Sequence, residues 1–62
     1  MHERLSDKFW GKVIHSPDEQ GYYGEVCDLE GVTVHTTGLL STRTRAQAVM
    51  HIWARRQDVP ND

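Results

Sequence analysis

The sequence predicts a small α+β domain, a three-stranded antiparallel meander followed by one C-terminal helix in the order β-β-β-α. Two observations carry this. Between Lys8 and Thr37, runs of aromatic and β-branched residues are separated by Ser16-Pro17-Asp18-Glu19-Gln20-Gly21 and Asp28-Leu29-Glu30-Gly31, polar stretches that each close on a turn glycine. From Thr44 onward the apolar spacing becomes helical. With 62 residues the chain is read as one domain, with an ordered core over residues 8–57.

Residues 1–7 mix Met, His, charges and Ser without a period, and are expected to be a frayed lead-in. Lys8 to His15 is the first strand, with Phe9, Gly11, Val13 and His15 on one face and Trp10, Lys12 and Ile14 on the other. Pro17 presets the first torsion of the following hairpin turn, and Gly21 suits its left-handed exit. The second strand, Tyr22 to Cys27, sets Tyr22, Gly24 and Val26 against Tyr23, Glu25 and Cys27. The third, Val32 to Thr37, has Val32, Val34 and Thr36 facing one way and Thr33, His35 and Thr37 the other, with Gly38 to Leu40 extending it past a kink.

The helix is expected over Arg45 to Arg56. Thr44 as N-cap with Gln47 three residues on forms a capping-box pattern, and Ala48, Val49, Ile52 and Trp53 form an apolar stripe. Arg55 and Arg56 suit the negative end of the helix dipole, and residues 58–62 read as a loose tail.

A single helix of about twelve residues is about 18 Å long and covers one sheet face, not two. Matching the alternation of the three strands assigns Phe9, Val13, Tyr22, Val26, Val32 and Val34 to the covered side. Trp10, Ile14, Tyr23 and Cys27 are left on the other, a cluster of the kind that marks an interface.

Charge is distributed unevenly. Residues 1–31 hold seven acids against three bases, and residues 32–62 hold four arginines against two acids. That dipolar pattern favours complementary protein surfaces, and nucleic-acid binding is not expected of a chain with net charge −2. No apolar run is long enough for a signal peptide or a membrane span, and the lone Cys27 forms no internal disulfide, so the expected compartment is cytoplasmic. The histidines show no ligand spacing with Cys27, and acidic neighbours Glu25 and Asp28 do nothing to activate its thiol. Neither a metal, a cofactor nor an enzymatic activity is expected; His2 and His51 are read as solvated.

Gly21-Tyr22-Tyr23, then Asp28-Leu29-Glu30-Gly31, then Thr44-Arg45-Ala46-Gln47-Ala48 together resemble HicB-type antitoxin domains over residues 9–56. In that family a Gly-Tyr-Tyr-like strand runs into an Asp-Leu-Pro-Gly turn and a Thr-x-x-Glu-Ala box opens the helix. The chain departs from this with Cys27 before Asp28, with Glu30 and Gln47, and with a longer Gly31-to-Thr44 segment. No counterpart of the family's DNA-binding segment follows the helix, so operator binding is not implied. The resemblance implies a non-catalytic domain, dimeric or higher, that occludes a protein partner such as a small RNase toxin. In such a complex Trp10, Ile14 and Tyr23 would supply buried anchors, and Glu25, Asp28, Arg43 and Arg45 would set orientation. Lys8-Phe9-Trp10, the Thr-capped helix with Trp53, and Val59-Pro60 are also similar to short bacteriophage inhibitors of host RNA polymerase. The alternative implied is a phage-encoded inhibitor of a host enzyme or defence complex.

Overall fold

The computed structural model describes residues 2–58. Its elements are β1 (Glu3–Arg4), β2 (Trp10–Ser16), β3 (Gly21–Cys27), β4 (Thr33–Thr36) and α1 (Arg43–Asp58). The strands form one antiparallel sheet in the order β1-β2-β3-β4, and α1 packs on β2 and β3. The α+β class and the C-terminal helix therefore stand, but the sheet has a fourth strand.

That strand comes from the segment expected to fray. Glu3 and Arg4 pair with Gly11 and Trp10, and the amides of Leu5 and Ser6 donate to the Phe9 carbonyl, closing a tight return. Leu5 is thereby drawn into the core, at 6% exposure. The Glu3 carboxylate accepts from Gln47 Nε2 at 3.2 Å and from His51 Nε2 at 3.0 Å, which ties the strand to the helix. His51 is half-buried in this contact and not solvated. No apolar period marked these residues because only Leu5 among them contributes to the core.

The β2–β3 pairing runs from Trp10↔Cys27 to Ser16↔Gly21 without interruption. Residues directly opposite one another in an antiparallel pair share a face. Gly11, Val13, Gly24 and Val26 thus line the helix side, as the alternation of the first two strands predicts. In the connecting turn the left-handed residue is Gln20, with φ of 55°, and not Gly21.

The third strand is turned over from His35 onward, while Thr33, opposite Cys27, keeps the orientation that alternation predicts. A register shift at Val26/Cys27 puts His35 opposite Val26 and Thr36 opposite Glu25. His35 stacks on Trp53 at 4.7 Å, while Val32 and Val34 remain 57% and 44% exposed. A bulge inserts one residue and inverts every side chain beyond it, and simple alternation cannot anticipate that. Thr37 is buried for the same reason: its Oγ1 accepts from the Gly24 amide at 2.9 Å and its amide donates to the Gly24 carbonyl at 2.8 Å. Beyond Gly38 the chain rejoins β3, where Leu40 and Tyr22 exchange two backbone hydrogen bonds of 2.8 Å.

Helix α1 begins earlier and is rotated from the expected stripe. Thr42, not Thr44, is the N-cap: its Oγ1 accepts from the Arg45 amide at 3.0 Å and its carbonyl from the Ala46 amide at 3.1 Å. Ala46, Met50 and Ala54 are fully buried, whereas Ala48 and Ile52 face outward. Small residues win the inward positions because the sheet beneath is also built of small ones. A Cβ added at Gly24 would lie 2.5 Å from Met50 Cγ, and one at Gly11 would lie 2.8 Å from Met50 Sδ and Leu5 Cδ1. Met50 therefore occupies a groove that exists only because those two strand positions lack side chains. Trp53 seals one end between Phe9, 5.2 Å away edge-on, and His35. At the other end Arg43 lies 5.4 Å from the centroid of Tyr22, which stacks on His15. Asp58, expected to open the loose tail, is instead the last residue of α1, and residues 59–62 lie outside the described residues.

Two stability outcomes follow from this packing. Thr42→Ala is expected to lower unfolding free energy by about 1 kcal/mol, and Thr44→Ala to change it little, in matched denaturant titrations. Gly24→Ala is expected to destabilise by about 1–3 kcal/mol through overpacking, chiefly against Met50 and also against the Ala46 carbonyl, since its backbone torsion suits alanine. Pairing it with Met50→Ala should recover part of that loss relative to additivity, a coupling that a double-mutant cycle reads directly.

Candidate functional site

The helix-free face of the sheet is ordered in rows. Trp10, Cys27 and Thr33 form the first, Lys12, Glu25 and Thr36 the second, and Ile14 and Tyr23 the third. Apolar side chains thus bracket a central cross-strand ion pair, in which Lys12 Nζ lies 3.6 Å from Glu25 Oε1. Trp10 and Ile14 are 36% and 38% exposed, and no element of the described chain covers them. These two are large apolar groups on β2, where Trp10 is paired with Arg4 of β1 and Cys27 of β3, and Ile14 with Tyr23 of β3.

Strand geometry explains why each points outward. The helix fixes Gly11 and Val13 inward, so period-2 alternation forces Trp10, Lys12 and Ile14 to the other side. Tyr23 is placed by the same rule on β3. Its hydroxyl donates to the Glu19 carboxylate in the β2–β3 turn, a partner that strand patterning gave no reason to single out. That hydrogen bond, with desolvation and the nearby negative charge as smaller contributions, holds the phenol above its ordinary pKa of 10.0. Cys27 shares the face but is buried, at 5% exposure, as the floor beside Trp10.

One end of the face opens into a hollow of about 260 Å³ lined by His2, Trp10, Cys27, Asp28, Leu29 and Gly31. The turn beside it is stiff. Asp28 Oδ1 accepts from the amides of Glu30 and Val32, both at 2.9 Å, and Gly31 takes φ of 88°. Asp28 is thus spent on organising its own turn, which accounts for the Asp-Leu-x-Gly pattern by local structure. Leu29 projects from the turn at 65% exposure, a rim residue that periodicity did not single out.

Of the seven residues selected from the sequence, Trp10, Ile14, Tyr23 and Glu25 share this face and Asp28 borders it. Arg43 and Arg45 do not join them. Arg43 caps Tyr22 on the helix side, beside a second hollow of about 380 Å³ that Glu3, Val13 and Gln47 also line, and Arg45 points away on α1. The set splits because the helix, and its arginines with it, lies across the opposite side of the sheet.

Among the described residues no three His, Cys, Asp or Glu side chains converge on a common point, and no helix is long and apolar enough to cross a membrane. What the face can do is bury apolar area, with an ion pair at its centre to fix register.

The Tyr23 contact is checkable by absorbance at alkaline pH. The protonated phenol is the donor and its folded-state pKa is raised, so this contribution to stability is complete below the ordinary tyrosine range and is lost as pH rises through the folded value. Glu19→Gln should return one tyrosine titration toward the ordinary range; an unchanged curve would exclude the contact in solution.

No family model, curated protein or solved structure matches the chain.

Proposed function

We propose that this chain is a non-catalytic protein-binding module whose helix-free sheet face closes over a partner protein. The reading follows the HicB-type antitoxin domains that its strand and turn motifs resemble, with a small RNase toxin as the partner class. The observation that carries it is the exposure of Trp10 and Ile14 beside Tyr23 on a regular strand surface that no element among the described residues covers. Large aromatic residues in such positions are the usual anchors of protein interfaces. The central Lys12–Glu25 pair adds polarity where a partner must match it, which favours a specific protein surface over indiscriminate apolar contact.

The test compares wild type with Trp10→Ala and Tyr23→Ala for solution mass and for capture of a partner from the source cell. Truncating an anchor is expected to weaken the captured complex by at least ~2 kcal/mol, about thirtyfold, with the monomer still folded. Capture that survives both substitutions undiminished would remove the basis for the proposal. A wild-type dimer that dissociates on Trp10→Ala, with capture unchanged, would assign the face to self-association and overturn the occlusion reading.

A further inference from the structure

The back of α1 carries a second surface, independent of the sheet face. Arg45, Ala48, Ile52 and Arg55 follow one another at intervals of three, four and three residues, the spacing of a coiled-coil seam, with Arg56 alongside. All five are exposed, Ile52 to 52%. The seam is apolar in its middle and cationic at both ends, which lie about 15 Å apart along the helix axis.

Asp58, the last residue of α1 and three residues after Arg55, is the one carboxylate of the helix, and among the described residues it forms no ion pair with an arginine of α1. Nor does the rest of the domain supply a partner to this side: among the described residues the ion pairs are Arg4–Asp7, Lys12–Glu25 and Glu3–His51. An exposed helix ordinarily alternates charge along such a face to gain i,i+4 pairs, and this one forgoes them.

We infer that the outer face of α1 docks an acidic amphipathic helix of another protein, whose apolar seam lies on Ala48 and Ile52 while its carboxylates meet Arg45, Arg55 and Arg56. Two alternatives fail on the same residues. A second copy of this helix, packed in either direction, would oppose arginine to arginine, and like charges across an interface are costly. A nucleic acid would set its sugar-phosphate chain against Ile52, and would face a domain whose first 31 residues hold seven acids against three bases. An acidic helix satisfies both the apolar centre and the cationic ends.

The test titrates the full chain with labelled synthetic peptides. One is a helical peptide of three heptads with leucine along its seam and glutamate at the flanking positions; a second has lysine in place of every glutamate; a mixed-sequence DNA duplex is the third probe. The glutamate peptide is expected to bind at least about tenfold tighter than the lysine peptide, and to weaken as salt is raised. Neutralising the ends in Arg45→Gln/Arg55→Gln/Arg56→Gln should cost about tenfold in affinity, since each exposed pair contributes little alone. Ile52→Ser should also weaken binding, and serves if the triple variant does not fold. Trp10→Ala should leave it unchanged, which separates this surface from the sheet face. Equal affinity for the two peptides, no loss in either α1 variant, or tighter binding of the duplex than of the glutamate peptide would each overturn the inference.

Discussion

The close approach of α1 to β2 and β3 is the constraint on which the other features depend. Met50 is one of two large side chains that are completely buried, with Val26, and it lies where a Cβ on Gly11 or Gly24 would stand. Its neighbours on the helix are Ala46 and Ala54. Small residues on both layers let the backbones come together, and the single long side chain between them fixes the rotation of the helix and the pleat of the sheet at once. With Met50 inward, Ile52, Arg45, Arg55 and Arg56 must face outward; with Gly11 and Gly24 inward, Trp10, Ile14 and Tyr23 must face the other way. Both surfaces argued for above follow from one packing choice.

A core this small leaves little margin, and the chain adds to it at its edges. Domains of about 60 residues bury only about 60% of the surface their unfolded chains expose. Leu5 closes one side of the Met50 groove, and Glu3 joins β1 to Gln47 and His51 across the layers. Trp53 lies between Phe9 and His35, and Tyr22 between His15 and Arg43. The aromatic groups sit at the ends of the helix–sheet contact, where the layers diverge and side chains of full size fit. The middle, where they are closest, is left to glycine, alanine and the flexible methionine.

The strands and their order were legible in the sequence wherever local chemistry was strong. The alternation of Phe9 to His15 and of Tyr22 to Cys27 assigned Trp10, Ile14, Tyr23 and Cys27 to the uncovered side, and the paired register places them there. Three features were not legible, each for a physical reason. β1 rests on two residues whose pairing partners lie six and eight positions onward, and its tie to the helix is polar. The bulge at Val26/Cys27 inverts β4 from His35 onward without leaving a mark in composition. The helix stripe was misplaced because a search for large apolar residues selects Val49 and Ile52, while this interface demands Ala46 and Ala54. Thr42 was read as part of a connector, and only the structure shows its Oγ1 accepting from the Arg45 amide.

The two surfaces lie on opposite sides of a two-layer slab and differ in kind. The sheet face is broad, fixed by strand pairing and centred on an ion pair, which suits a flat and rigid partner. The helix back is a narrow seam with one sign of charge, which suits a single segment laid along it. A partner that bound either side only in the folded state would stabilise the shared core by about 2.7 kcal/mol at a hundred times its dissociation constant.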